Sequence, residues 1–319
     1  MDRLDEFEVF LAILDTGSLV GASRKLGRSA PAITRLLASL EERVGTRLLE
    51  RTTRNLAATE AGLRLAGQAR QVLSLYEAAV IDDATTAMRG KLRVTAPMVF
   101  GRRHVAPVVN SYLDMYPEMQ VEMVMSDRNL DLIEEGLDLA VRIGPLADTS
   151  LVARPVGMVG RLVVASPDYL ARRGTPQTPH DLAQHDVIFT TERINAVEWR
   201  FRHEGRDRTV QLTPRLTVNE IDAALLAAKA GRGIARALSY QVADDLEAGT
   251  LVRLLTDYET APLPVQLVVT GTRHMAPRLR AFLDHAIAQL SVLSVIQQPQ
   301  FNTKPPLLAQ PKKPGRSKE

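Results

Sequence analysis

Residues 17–62 read GSLVGASRKLGRSAPAITRLLASLEERVGTRLLERTTRNLAATEAG, and the order of breakers, caps and apolar positions here decides how the N-terminal part folds. Thr16-Gly17-Ser18 stops a preceding helix and offers Ser18 as the cap of a second one, about Leu19 to Leu26. Gly27-Arg28 makes a tight turn. Ser29 can cap a third helix, with Pro31 tolerated in its first turn, where N–H groups lack intrahelical partners. In that helix Ile33, Leu37 and Leu40 stand at offsets 0, 4 and 7 and are expected to face the core, leaving Pro31, Thr34, Arg35 and Ala38 outward. Leu48 to Ala58 then reads as two short extended segments around Thr52-Thr53-Arg54-Asn55. Upstream, Leu4, Phe7, Leu11 and Leu14 recur at 0, 3, 7 and 10, one face of a first helix.

Charge marks the same region. The chain carries a net +3, but residues 302–319 hold five Lys or Arg against one Glu, so the body is slightly acidic. Within it, residues 16–58 set Arg24, Lys25, Arg28, Arg35, Arg43, Arg47, Arg51 and Arg54 against Glu41, Glu42 and Glu50, a local +5. Two helices joined by a short turn, with a basic outer face, meet the description of a helix-turn-helix whose second helix enters the major groove. Arg35 is the best base reader, because a guanidinium can bond guanine O6 and N7 together, and Thr34 can bond a base edge or touch a thymine methyl. The plain alternative is a solvated helix with an ordinary surface arginine.

Thr59 followed by Glu-Ala-Gly starts another helix, expected to run to about Met88, with Leu65, Ala69, Val72, Tyr76 and Ala79 at 0, 4, 7, 11 and 14, a seam that needs a partner helix. From Gly90 the texture becomes βαβ: KLRVTAP, a helix near Val105 to Met115, MQVEMVM, a helix ending near Gly136, then LDLAVRIG. The rhythm recurs in DVIFT, RLTVN, the Ala-rich helix Glu220 to Ala230, and GIARA, while VQLVVT and the helix Pro277 to Leu290 return to the first α/β unit.

The remaining features exclude whole classes. No run approaches the ~20 apolar residues of a membrane helix, and the acidic opening MDRLDEFEVFLAILDTG does not suit a secretion signal, so a cytoplasmic protein is expected. With zero cysteines there is no disulfide, thiolate metal site or cysteine nucleophile. GxSxG, P-loop and GxGxxG are absent, Gly231-Arg232-Gly233 lacking the third glycine; no enzyme activity and no cofactor are expected. His180 and His185 are five apart and have no completing carboxylates, so no metal site is expected. Trp199 in EWRFR reads as a strand residue of core or cleft wall.

The stretch quoted above also resembles the N-terminal winged helix-turn-helix of LysR-type transcriptional regulators, from Phe10 to Gly62. The family pattern stands here as Gly17-Ser18, Ala22, Leu26, Ser29, Pro31-Ala32, Thr34-Arg35, Leu40-Glu41, Gly45, Leu48, Arg51, Arg54 and Thr59-Glu60-Ala61-Gly62. Three positions depart from it: Leu49 replaces the usual Phe, Ala58 a larger apolar residue, and Leu36 a polar one that can face DNA. The resemblance implies DNA contacts from Ser29, Pro31, Thr34, Arg35 and Ala38, with Arg51, Thr52 and Arg54 in the wing.

It continues, less densely, to about residue 295 through KLRVTAP, LDLAVRIG, ASPDYL, PHDLAQHDVIF and AGRGIA. It implies an α/β effector domain of two subdomains, periplasmic-binding-protein-like, preceded by the winged helix-turn-helix. The expected divisions are 1–59 (helix-turn-helix about 19–38), a linker and dimerisation helix 60–89, an effector domain 90–297 and a disordered basic tail 298–319. Its subdomains would be about 90–162 with 266–297, and about 163–265. A small-molecule effector, with a carboxylate expected, would lie between them near strand ends and helix N-termini, which favour anions. By position, Pro97, Met98, Val99, Phe100, Gly101, Arg102, Arg142, Ile143, Thr190, Asn219 and Glu220 would line its site, Arg142 neutralising the carboxylate and Arg102 or Arg103 assisting. Implied partners are promoter DNA, a second copy in a homodimer, a tetramer of such dimers, and RNA polymerase. The rivals are a regulator without an effector response, a solute-binding protein, which would need an export signal and no N-terminal helices, and a small-molecule enzyme.

Overall fold

The structure is a computed structural model and describes residues 3–51, 56–80, 88–146, 151–190, 198–271 and 275–297. α1 (Arg3–Thr16) stops at Gly17, and the Ser18 hydroxyl then accepts a hydrogen bond from the Gly21 amide at 3.0 Å to start α2 (Leu19–Leu26). Gly27 ends α2 with φ 62°, a left-handed conformation that side chains disfavour, and the chain turns directly into α3 (Ala30–Val44). Ser29 stands at the N-cap of α3 in extended conformation, but its side chain makes no capping bond, contrary to expectation. The core stripe of α3 is also corrected: Ile33, Leu36 and Leu40 are buried, Leu36 being 4% exposed, while Leu37 is only partly covered. Both i+3 and i+4 lie on one helix face, and packing against neighbours decides between them. Leu36 is therefore a core residue and does not face DNA.

α1 is covered by α2, α3 and later α4, so its deepest residues are Val9, Phe10 and Ile13 together with Glu6. The expected stripe Leu4, Phe7, Leu11 and Leu14 is only partly buried. β1 (Leu49–Arg51) and β2 (Leu56–Ala58) pair antiparallel, with Leu49 opposite Ala58. The Glu41 carboxylate accepts from the Leu48 and Leu49 amides at 2.8 and 3.2 Å and ties the wing to α3. α4 (Glu60–Val80) begins where the Thr59 hydroxyl accepts from the Gly62 amide at 3.0 Å; its expected extension to Met88 enters residues outside those described. Its expected seam divides. Ala69 is buried and Leu65 packs on the helix-turn-helix core, whereas Val72 and Tyr76 are exposed and the Ala79 side chain lies outside the described residues.

Beyond it follow β3 (Gly90–Ala96), α5 (Met98–Phe100), a π-helical turn Gly101–Val105, α6 (Ala106–Met115), β4 (Met119–Met125), β5 (Leu139–Ile143) and β6 (Val152–Val159). Then come β7 (Arg161–Ala165), α7 (Pro167–Arg173), β8 (Val187–Thr190), β9 (Glu198–His203), β10 (Arg206–Gln211) and β11 (Pro214–Val218). The chain closes with α8 (Ile221–Lys229), β12 (Ile234–Leu238), α9 (Ala243–Glu247), β13 (Val252–Leu254), β14 (Leu263–Val269), α10 (Pro277–Leu290) and α11 (Ser294–Gln297). The expected helix ending near Gly136 is instead a turn over residues 132–136. The Asp131 carboxylate binds the Ile133 and Glu134 amides at 2.8 and 2.9 Å, an Asx turn that competes with helix propagation.

Two compact units result. The first comprises Met1–Gly157 with Pro264–Leu293 and holds a sheet of order β4-β3-β5-β14-β6, in which β3 runs parallel to β4 and β5 and β14 is antiparallel to β5. α10 returns to pack on α6: Tyr112 meets Phe282 edge-on at 5.0 Å and donates its hydroxyl to the Arg278 carbonyl at 2.9 Å. The second comprises Met158–Leu263 with the segment from Ser294 and holds a mixed sheet β11-β8-β12-β7-β13. Over that sheet lies the β9–β10 hairpin, turned by Glu204 and Gly205 at φ 49° and 75°, a two-residue loop matching the strand twist. Trp199 and Phe201 from the hairpin join the core with Val163, Phe189 and Ile234.

Candidate nucleic-acid interface and effector site

The local surplus of positive charge is smaller than counting suggests, because α1 supplies acids from outside the basic stretch. Lys25 pairs with Asp15 at 2.8 Å, Arg28 with Asp5 at 2.6 Å, and Arg43 with Glu6 at 2.9 Å. Arg28 bonding holds the Asp5 carboxyl below its ordinary range. Glu6 is 1% exposed; burial alone would raise its pKa, but the bonds from Arg43 and Ser39 outweigh this and lower it. Three of the eight cations thus staple helices together. Arg24, Arg35 and Arg47 stay exposed, with no ion pair among the described residues.

Pro31, Thr34, Arg35 and Ala38 all lie on the exposed face of α3, with Ser29 exposed just before it. The Thr34 hydroxyl donates to the Ala30 carbonyl at 3.0 Å, so it offers a methyl group and an acceptor rather than a free donor. Arg51 lies in β1, but its side chain, like Thr52 and Arg54 entirely, falls outside the described residues.

In each α/β unit the strand order reverses at one place. β3 lies between β4 and β5 in the first unit, and β8 lies between β11 and β12 in the second. Ligands of open α/β sheets bind where the order reverses, beyond the strands' C-terminal ends. In the first unit those ends are Ala96-Pro97 and Ile143; in the second they are Thr190 and Val218-Asn219. Not every expected residue there is presented to solvent. Met98, Arg102, Thr190 and Asn219 are exposed and Pro97, Arg142, Ile143 and Glu220 half-buried, but Val99, Phe100 and Gly101 are buried. The expected lining by Val99, Phe100 and Gly101 is therefore not by exposed groups: Phe100 packs on the His104 ring at 4.9 Å, and Gly101 lies against Ala96 and Met125. The Arg142 Nη2 donates to the Leu130 carbonyl at 2.7 Å, a neutral partner, and among the described residues Arg142 has no ion pair.

Comparison with known proteins finds matches to both the N-terminal helices and the α/β part of the chain. The family description "Bacterial regulatory helix-turn-helix protein, lysR family" matches residues 4–63, and "LysR substrate binding domain" matches residues 86–291. The chain belongs to the LysR family of transcriptional regulators. It is 33% identical over 277 residues to an uncharacterized HTH-type transcriptional regulator of Haemophilus influenzae, covering 86% of this chain and 96% of the relative. It is 31% identical over 290 residues to the probable HTH-type transcriptional regulator LtrA of Klebsiella pneumoniae, covering 89% and 94%. The full-length structure of the Vibrio cholerae virulence activator AphB, 28% identical, superposes with a TM-score of 0.59 over 90% of this chain and 99% of that one.

This LysR-family chain is a DNA-binding regulator with a substrate-binding domain. Two carboxylates near its strand ends bind helix-start amides. Glu220 caps α8, accepting from the Asp222 and Ala223 amides at 3.0 and 2.9 Å, and Asp127 accepts from the Met98 amide at 3.0 Å at the start of α5. Both helix starts expected to attract an anion thus already hold one of the protein's own. Glu is not among the favoured N-cap residues, and Asp127 lies 29 residues from its partner, so neither contact is signalled locally in the sequence.

Proposed function

We propose that this regulator reads its operator with the exposed face of α3, Arg35 and Thr34 contacting base edges in the major groove beside Pro31 and Ala38. Ser29 and the wing residues Arg51, Thr52 and Arg54 contact the backbone. The observation that carries this reading is that Arg35 is exposed on that face with no ion pair among the described residues, while neighbouring cations are held by α1 acids. Arg35→Ala should lose roughly 1–3 kcal/mol at the specific site and relax base preference. Unchanged discrimination between specific and random DNA, in titrations at one salt concentration, overturns the assignment.

The effector on this reading is a small carboxylate held by Arg142, with Arg102 assisting. Support comes from Arg142, whose hydrogen bond among the described residues goes to a neutral carbonyl, leaving donors for a carboxylate. Thermal shift with a panel of carboxylates and their uncharged amides tests this. Stabilisation by acids only, lost in Arg142→Ala, supports it, and equal stabilisation by amides refutes it. The regulator works as a homodimer, with pairing into tetramers and contact with RNA polymerase as further steps, and the effector changes DNA binding through its unequal affinity for two states.

A further inference from the structure

We infer that the second unit carries a separate site for a small tetrahedral oxyanion of the phosphate or sulfate class, built on Arg236 with Arg161 at its entrance. Arg236, on β12, projects beneath the β9–β10 hairpin. Its guanidinium carbon stands 5.9 Å from the Trp199 ring centre and 5.6 Å from that of Phe201, and Nη2 donates to the Arg200 carbonyl at 2.8 Å. Its Nε is buried and has no acceptor among the described residues. Arg161 joins it through the sheet register: Arg236 pairs with Val163, and Arg161, two residues before Val163, lies on the same face within reach of a long side chain.

The charges around this group do not balance. The carboxylate that acts on Arg236 is Glu259, and both of its oxygens are taken by Arg253, each at 2.6 Å. Arg200 has its own partner, Glu198, at 3.3 Å. Among the described residues Arg236 and Arg161 have no carboxylate partner, and burial together with the Arg161 charge pulls the Arg236 pKa down to about 10. Cation–π contact offsets only part of the cost of withdrawing a guanidinium from water. An oxyanion between the two groups supplies the missing acceptor and cancels their repulsion. Because Nε is covered, the occupant reaches it by turning the guanidinium, which moves the charge over the Trp199 ring.

Trp199 is the chain's single tryptophan, so its emission reports the site directly. The full-length protein is titrated with sodium phosphate, then sodium sulfate, at constant ionic strength balanced with sodium chloride. A saturable change in Trp199 emission is expected for both anions, persisting in Arg142→Ala. Arg161→Ala, an exposed position, should shift the midpoint about tenfold for the lost charge-assisted bond, and Arg236→Met should abolish the saturable phase. A linear response, one matched by chloride alone, or an unchanged midpoint in Arg161→Ala overturns the proposal. The Arg161 variant keeps the test decisive if Arg236→Met fails to fold.

Discussion

The Arg70 guanidinium on α4 lies 3.7 Å from the Asp15 carboxylate at the end of α1. The same side chain occupies the space a Cβ would need at Gly136, in the turn that leads to β5. Burial and the nearby Arg93 lower its pKa, while Asp15 and Asp138 act the other way. One arginine thus reaches the end of α1 and the turn that precedes β5, both within one compact unit.

Arg70→Met keeps the aliphatic stem and removes the bridge. Operator affinity of the effector-free protein should change little, while its response to the effector flattens. A mobility-shift titration with and without the effector checks this, and a full response in the variant refutes it. Three residues earlier, a Cβ on Gly67 would collide with the Ile133 carbonyl. Gly67→Ala should therefore cost about 1–3 kcal/mol as an overpacking change, read as a lower unfolding midpoint.

Acid sensitivity should be traceable to Glu6. Its folded pKa lies below its ordinary 4.5, so the pair with Arg43 contributes fully above that value and is lost as pH falls through the lower, folded one. Glu6→Gln should flatten the acid limb of the stability profile. Arg43→Met, which leaves the buried carboxylate with the Ser39 hydroxyl and the more distant charge of Arg3, should cost roughly 1–3 kcal/mol at neutral pH. Denaturant melts from pH 3 to 7 separate the two, and an unaltered acid limb in Glu6→Gln assigns the sensitivity elsewhere.

Local chemistry made much of this fold legible. Ser18, Gly27 and Pro31 act through neighbours a few residues away, so α2 and the start of α3 could be placed from sequence, as could strands such as DVIFT and GIARA. What escaped depends on distant packing. Leu36 and Leu37 are equally apolar, and only the arrangement of α1 and the wing buries the former. The acids of α1 that neutralise Lys25, Arg28 and Arg43 stand 10 to 37 residues away, beyond any window used to count charge. At the candidate effector site, strand ends followed from the βαβ rhythm. The inward turn of Val99 and Phe100 did not, because a three-residue helix gives no periodicity.

Leu63, Val72 and Tyr76 leave an exposed apolar edge on α4. If a second copy covers it, Val72→Glu should yield monomers in sedimentation equilibrium. It should also lower affinity for a two-half-site operator by on the order of a hundredfold, while a single half-site is bound as before. A Val72→Glu protein that remains dimeric locates the contact elsewhere.

The carboxylate of Glu220 is expected to set the sign of ligand preference at α8. While it occupies the Asp222 and Ala223 amides, it repels an incoming anion from the positive end of the helix. Glu220→Gln keeps an acceptor for those amides and removes the charge. It should cost no more than about 0.5–2 kcal/mol of stability, the range for losing a cap outright, while strengthening binding of carboxylates and leaving neutral analogues unaffected. Calorimetric titration of wild type and variant with one acid and its amide decides the matter. Weaker acid binding in the variant would mean that Glu220 touches the ligand itself, accepting a hydrogen bond from it, and not only the helix it caps.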